Sequence, residues 1–205
     1  MDNQNEPTLE SPRLTGPIGA RINRPVALVT QDFRLYHELA PFFEAQGVLL
    51  LGLRPGDEVP DAVQVLLDGP AGDARSVAVQ ADVEATWLAA LSVWDSRDTK
   101  QVVLGVDPGE TIGLAVLVGG WVYWTTQVRG VEAAVERILA WRPALTGWQA
   151  SVGDGAPDVG IDLCRRLRKA WPELPTRIVS EAGSTPHSSV TQSRHTDAAI
   201  RIAMR

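Results

Sequence analysis

The chain of 205 residues has one cysteine, two lysines and no long hydrophobic run. Because Cys164 has no disulfide partner within the chain, the composition favours a reducing compartment, and we expect the cytoplasm. No stretch approaches the roughly 18 consecutive apolar residues that a membrane-spanning helix requires. The first 20 residues lack an apolar segment, so they do not resemble a secretory signal.

Several ligand-binding motifs are also missing from the sequence. It contains neither G-x-G-x-x-G nor a P-loop, and it has no Cys/His set with the spacing of a zinc site. The turn at residues 54–57, Arg-Pro-Gly-Asp, does not make a phosphate-binding fingerprint. We therefore assign no ligand to the first half of the chain.

The formal charge is -6, and it is unevenly distributed. Residues 1–100 carry a net charge of -7, and residues 101–205 carry a net charge of +1. A basic surface for nucleic acid is therefore expected only in the second half, in the run Arg165, Arg166, Arg168 and Lys169. The simplest interpretation of this run is a solvated helix face, and contact with phosphates is the alternative.

Hydrophobic patterns divide the chain into three parts. Residues 1–24 are polar, contain three prolines and are predicted to be a disordered arm. Residues 25–96 alternate short apolar strands with helical patterns, which predicts a small doubly wound, Rossmann-like α/β domain. This segment most resembles a receiver-like wrapper, and its expected role is protein contact or coverage of a sheet. The polar stretch 95–100 is the expected linker to a second domain at 101–205.

The second domain is expected to follow the order βββαβαβα. Tight glycine turns, above all Gly119-Gly120, predict that the first three strands form an antiparallel meander. The strands are predicted at 102–106, 113–118, 121–128, 148–152 and 176–180, and the helices at 131–141, 158–171 and 193–205.

The most informative motif is LGVDPGETIGLA at residues 104–115. It places Asp107 at the end of a buried strand, before a Pro-Gly turn and a second strand. A simple alternative is that Asp107 only caps its own turn. The whole stretch resembles the first motif of RuvC-type Holliday-junction resolvases and the related YqgF-like proteins, in the ribonuclease-H-like superfamily. This resemblance covers residues 101–205 and implies a mixed five-stranded sheet whose first three strands are antiparallel.

The same resemblance implies acidic residues at the ends of three further elements. Asp154 follows the fourth strand, Glu181 the fifth, and Asp197 lies in the first turn of the last helix. Each also has a structural interpretation: a turn residue, a solvent-facing strand end and a favourable charge at a helix N-terminus, respectively. For the nearby Asp158 we prefer the structural role of a helix cap.

These acids would be catalytic, and Asp107, Glu181 and Asp197 would hold Mg²⁺ or Mn²⁺. Hydrolysis of a phosphodiester requires charge neutralisation on the attacking and leaving oxygens, which two carboxylate-bound metal ions provide. Hard oxygen ligands suit these ions. His195 and Arg194 are weaker candidates for contact with nucleic acid. His195 and Asp197 are two residues apart, so one helical face does not present both, and Asp197 is the preferred ligand.

The sequence therefore supports three hypotheses of function. The first is a metal-dependent nuclease that cleaves structured or branched DNA or RNA. The alternative is a non-catalytic regulatory protein that binds nucleic acid or protein and keeps the fold. A phosphotransferase of the actin-like type is the least favoured, because no duplicated domain or second phosphate loop is visible. A protein partner or a second copy is expected to bind through residues 25–96.

Overall fold

The computed structural model describes residues 24–95, 101–180 and 193–205. The first unit is a parallel four-stranded sheet with the strand order β2-β1-β3-β4. Its strands are β1 (Val26–Val29), β2 (Leu50–Leu53), β3 (Val65–Leu67) and β4 (Ser76–Val77). Helix α1 (Phe33–Ala45) connects β1 to β2, and helix α2 (Val83–Trp94) follows β4.

Aspartates cap the N-termini of both helices. The Asp32 carboxylate accepts from the backbone N–H of Arg34 at 2.9 Å, and that of Asp82 accepts from Ala85 N–H at 2.7 Å. Such caps satisfy N–H groups that lack an intrahelical partner. Pro41 lies inside α1, and the helix continues through it to Ala45.

The first unit differs from a doubly wound domain in its layers. Within the described residues, α1 and α2 pack on the same face of the sheet, in one cluster with Val26 and Leu28. On the other face, Ala27 and Leu66 are buried with Val63, which belongs to the connection from β2 to β3. That connection contains no helix, so a loop covers this face.

The second unit is a mixed five-stranded sheet with the strand order β7-β6-β5-β8-β9. Strands β5 (Val102–Asp107), β6 (Thr111–Val118) and β7 (Trp121–Arg129) form the antiparallel meander that the glycine turns predict. Strands β8 (Trp148–Gly153) and β9 (Thr176–Val179) add to β5 in parallel. Its helices are α3 (Val131–Trp141), α4 (Pro157–Ala170) and α5 (Arg194–Ala203), with a short 3-10 turn at Arg142–Ala144.

Two glycines determine how closely α5 approaches its sheet. A Cβ atom on Gly113 would overlap the carbonyl oxygen of His195, and one on Gly105 would overlap that of Ala199. Since backbone atoms cannot move aside as a flexible side chain can, the helix lies directly against β5 and β6. This contact fixes where the first turn of α5 meets the ends of the strands.

Helix α2 joins the two units. Its residues from Glu84 to Leu91 are all buried, which is eight consecutive positions and more than two helical turns. A helix whose whole circumference is buried is packed between other elements on opposite sides. The hydrophobic cluster that contains Leu88 and Leu91 also contains Trp141 of α3 and continues through the second sheet.

Other sequence predictions fall outside the described residues. These are the arm up to residue 23, most of the linker at 96–100, and Glu181. Within the described part of the chain, no helix has both the length and the apolar character needed to cross a membrane.

Candidate functional site

The first candidate site is the edge of the second sheet where β5 and β8 end. Asp107 is the last residue of β5, and its side chain is 14% exposed. Because Val106 pairs with Val152 in the neighbouring parallel strand, Asp154 follows at the same edge of the sheet. Asp107 and Asp154 therefore lie at the same edge of the sheet, as the sequence predicts, and Asp154 is exposed there.

His195 contacts Asp107. Its Nδ1 lies 3.1 Å from Asp107 Oδ2, across 88 positions of the chain, and its side chain is 26% exposed. With the hydrogen on Nδ1, the imidazole donates to the carboxylate. Arg194 Nε lies 3.5 Å from the other ring nitrogen, at the long limit of a hydrogen bond. The pair ties the start of α5 to the end of β5.

The predicted carboxylate cluster is only partly described, because Glu181 lies outside the described residues. Asp197 is 4% exposed within the first turn of α5, whereas Asp154 is exposed beyond β8. In the described part of the chain, no three His, Cys, Asp or Glu side chains are arranged to hold a metal ion. Because Glu181 lies outside that part, binding of Mg²⁺ or Mn²⁺ by Asp107, Glu181 and Asp197 stays a prediction.

The basic run of α4 is partly paired with acids. Arg165 forms an ion pair with Asp162, and Arg166 Nε lies 3.0 Å from the other oxygen of that carboxylate. Hydrogen bonds from these two arginines lower the pKa of Asp162. Arg166 also lies 3.7 Å from Glu132 of α3. Arg168 and Lys169 are exposed in the last turn, so the helix presents a mixed rather than a purely basic surface.

A second candidate region is the α2 junction, which we define as the contacts of Asp82, Glu84 and Asp95 with Tyr123, Arg137 and Trp141. Trp141 Nε1 donates to Glu84 Oε2 at 3.2 Å, and Arg137 Nη1 lies 3.0 Å from the same oxygen. Arg137 is also 3.6 Å from Asp82. At the other end of α2, Tyr123 Oη donates to Asp95 Oδ2 at 2.8 Å.

Glu84 is the buried acid of this junction, with 9% of the residue exposed. Burial raises the pKa of Glu84, and the opposing effect of the Arg137 charge is smaller. The neighbouring Asp82 raises this pKa further, while hydrogen bonding from Trp141 lowers it. Trp124 also lowers it, although its buried indole N–H has no hydrogen-bond partner of normal geometry among the described residues. The ionised carboxylate is thus held at a site that favours its neutral form.

Aromatic rings continue the junction along α1. The Phe42 ring lies 5.4 Å from that of Trp124 in β7 and 6.3 Å from that of Trp87 in α2. Phe43 also contacts Trp87, with ring centroids 5.3 Å apart. These distances lie in the range of favourable aromatic pairs. Helix α1 therefore contacts both α2 and strand β7 of the second sheet.

The third candidate region is the edge of the first sheet where its parallel strands end, since ligands of α/β sheets bind there. Strand β1 is followed by Thr30 and Gln31, and β3 is followed by Asp68. The Asp68 carboxylate accepts from the backbone N–H of Val79 at 2.8 Å. Asp68 also has a φ of 52°, a left-handed conformation that a short polar side chain tolerates. This carboxylate shapes the loop after β3.

Part of the chain is similar to a known protein family. Residues 25–91 match a response regulator receiver-like domain. The match agrees with the receiver-like resemblance of the sequence, and it extends from the start of β1 into α2. No curated protein matches the chain.

The receiver-like match corrects the interpretation of the chain as a RuvC-type or YqgF-like nuclease. That prediction is wrong, because the recognised family is a receiver-like domain, which points to regulation rather than phosphodiester hydrolysis. The predicted resolvase, nuclease and hydrolase functions are therefore wrong as well. The mixed sheet of the second unit remains a general α/β arrangement, and a fold alone does not determine an activity.

Sequence reasoning missed the two regions that the structure makes most distinctive. Glu84 is the only acidic residue in the mostly apolar helix pattern at 83–94. A single acid in such a helix was the signal that could have indicated a buried carboxylate. Trp141 is fully buried, and its indole contact with Glu84 depends on packing between units, which no local pattern encodes. The second region is a cleft between the first turn of α1 and the end of β2, lined by residues that include Tyr36 and Gly52, and no motif in the sequence marks it.

Proposed function

We propose that this protein is a non-catalytic regulatory protein that acts by binding a protein partner. In it, a receiver-like unit is joined to a second α/β unit through a shared helix. The observation that carries the proposal is the α2 junction: eight consecutive buried residues of α2 belong to a core that continues into the second sheet. A change of shape in the first unit is therefore transmitted to the second through packed contacts rather than through a free linker.

Charge favours a protein partner over a nucleic acid. The chain carries -6 overall and -7 in its first 100 residues, which opposes contact with phosphates. In the basic run of α4, Arg165 and Arg166 are paired with Asp162. The first unit also exposes large apolar side chains, among them Leu49 at 65%. Protein contacts use such residues.

The chemistry of the receiver-like unit supports regulation without a phosphorylated aspartate. Transfer of phosphate to a carboxylate uses a divalent cation held by neighbouring acids. Within the described residues, no group of three possible ligands exists, and Asp68 is bonded to the loop backbone. Thr30 and Gln31 offer no charge at the end of β1. We therefore place the regulatory input in binding rather than in phosphoryl transfer.

The test starts with partner capture from the source cells by chemical cross-linking to the full chain, followed by titration of each purified partner. We expect saturable binding that Leu49→Ser weakens by about fivefold or more, since exposed apolar residues at an interface contribute to affinity. The matched control is Ile161→Ser, which changes an apolar residue of α4 that is 57% exposed. This control should leave the affinity unchanged.

A parallel assay measures binding and cleavage of duplex, flapped and branched DNA and RNA with Mg²⁺ and Mn²⁺. Metal-dependent cleavage would contradict the proposal. Steeply salt-dependent binding of nucleic acid, without a titratable protein partner, would replace it with a nucleic-acid-binding function.

A further inference from the structure

A cleft of about 770 Å³ opens between the first turn of α1 and the end of β2. Small-molecule sites have volumes of roughly 300–1,000 Å³ and favour the carboxyl edge of parallel strands. The residues that line the cleft include Phe33, Tyr36, His37, Gly52, Arg54 and Asp57. None of them takes part in the α2 junction.

Gly52 creates the space within this cleft. Leu50, two residues earlier on the same strand, is buried against α1, and its carbonyl accepts from Tyr36 Oη at 3.2 Å. Glycine has no side chain, and a Cβ atom added at Gly52 would lie 3.4 Å from the Tyr36 ring. A larger residue at this strand position would therefore occupy the cleft without straining the backbone.

The walls of the cleft are aromatic. Phe33 is 68% exposed, which is the largest exposure among the large apolar residues in the described part of the chain. The rings of Tyr36 and His37 lie edge to face with their centroids 5.7 Å apart. Exposed and half-buried rings around a cavity favour a flat ligand that stacks on them.

The cleft also presents one positive charge. The Arg54 guanidinium forms no ion pair with an acidic residue of the described chain, and the residue is exposed. The neighbouring Asp57 carboxylate accepts from the backbone N–H of Arg54 at 2.8 Å, so it closes the turn at 54–57. A planar guanidinium binds carboxylate and phosphate groups through paired hydrogen bonds.

From these observations, we propose that the cleft between α1 and β2 binds a planar aromatic molecule that carries an anionic group. The ring stacks on Phe33 and Tyr36, in the space that Gly52 leaves, and the anionic group pairs with Arg54. The nucleoside monophosphates have this chemistry and a size that the cleft accommodates. The proposal stands whether or not the protein regulates a partner.

The experiment is isothermal titration calorimetry of the full chain with four planar anions: AMP, GMP, FMN and salicylate. Adenosine lacks the anion and inorganic phosphate lacks the ring, so these two probes separate the contributions. We expect at least one planar anion to saturate the protein, and adenosine and phosphate to bind about tenfold more weakly or not at all.

Two variants locate the binding. Arg54→Gln removes the charge from an exposed position and should weaken binding by about tenfold. Gly52→Val fills the cleft from a strand position and should abolish binding. The matched control is Arg34→Gln on the exposed first turn of α1, which does not line the cleft and should leave the affinity unchanged. Thermal melting of each variant confirms that it is folded.

Three results would overturn the proposal. One is the absence of saturable binding by every planar anion up to millimolar concentration. Another is equal affinity for inorganic phosphate, which would reduce the cleft to an anion site. The third is binding that persists in folded Gly52→Val, which would place the ligand elsewhere on the protein.

Discussion

Trp141 and Glu84 are 57 positions apart in the chain, and the indole of one donates to the buried carboxylate of the other at 3.2 Å. The contact joins α3 of the second unit to the helix shared by both units. Burial opposes the charge of Glu84, while Arg137 at 3.0 Å compensates only in part. The junction is therefore held together by a group whose protonation changes its stability.

Glu84→Gln should change how stability depends on pH. Because the pKa of Glu84 is raised above 4.5 in the folded protein, the folded state binds this proton more tightly than the unfolded state. The stabilising contribution is thus full below the unfolded pKa and is lost as the pH rises through the folded pKa. Urea unfolding from pH 3.5 to 8 should show wild type losing stability relative to Glu84→Gln as the pH rises.

The control for this experiment is Ser92→Ala, which alters α2 without removing a titratable group. Its curve should run parallel to that of wild type. If the Glu84→Gln curve is also parallel, Glu84 does not carry the pH dependence of the junction.

Trp141→Phe should destabilise the protein by about 2 kcal/mol, because it removes a buried hydrogen bond and part of a fully buried ring. It should also steepen the pH dependence, since the indole lowers the pKa of Glu84. Trp148→Phe is the matched control. Trp148 is also buried, and its Nε1 donates to the Leu145 carbonyl at 2.9 Å within the second unit. An equal effect of both substitutions on the pH slope would contradict the proposed role of Trp141.

Gly113→Ala should destabilise the protein by about 3 kcal/mol, since its Cβ would overlap the backbone of His195 and force α5 away from the sheet. Gly160→Ala provides a control within α4, because a Cβ there meets its nearest atoms at 3.4 Å, an ordinary contact distance. Alanine also favours a helix, so this change should be neutral or slightly stabilising. Chemical denaturation of both variants tests the difference, and a neutral Gly113→Ala would show that α5 can withdraw without cost.

The Asp107–His195 contact should contribute about 0.5–1 kcal/mol, because both side chains are partly exposed. A double-mutant cycle with Asp107→Ala and His195→Ala measures this coupling directly. In the control cycle, Asp158→Ala replaces Asp107→Ala and is combined with His195→Ala. These two substitutions should be additive, because Asp158 is an exposed residue of α4. Additivity in the first cycle would mean that the 3.1 Å contact does not stabilise α5.

Asp68→Asn should leave stability nearly unchanged, because asparagine keeps the acceptor for the Val79 N–H and tolerates a φ of 52°. Asp68→Ala loses both advantages and should cost about 2 kcal/mol. Thermal melts of the two variants make the comparison. A large loss in Asp68→Asn would indicate that the negative charge itself is needed.

Local sequence signals predicted the elements of this fold well. Residues 131–141 were expected to be a helix, and α3 has these bounds. The Gly119-Gly120 turn was expected to join two antiparallel strands, and β6 and β7 pair in this way. Such features depend on neighbours within a few positions, so the sequence carries them directly.

The candidate site could not be predicted to the same degree, because it depends on contacts between distant segments. Helical spacing predicted that one face of α5 does not present both His195 and Asp197, and Asp197 as the preferred metal ligand stays a prediction. The structure brings His195 to Asp107, since the packing of Gly113 against the His195 backbone sets the position of α5. No pattern within α5 encodes that contact. The motif around Asp107 is also short, and it suggested a catalytic family that the receiver-like match contradicts.

The burial of α2 on both sides has a consequence for how the chain folds during synthesis. The receiver-like match ends at residue 91, inside α2, yet one side of that helix is covered by residues of β7 and α3 that the ribosome makes later. Until those residues emerge, Leu88 and Leu91 lack part of their final surroundings, and exposed apolar surface of this kind promotes aggregation. The segment that matches the family and the hydrophobic core around α2 therefore have different boundaries in this protein. We expect a nascent chain stalled after α2 to expose apolar surface that the finished protein buries.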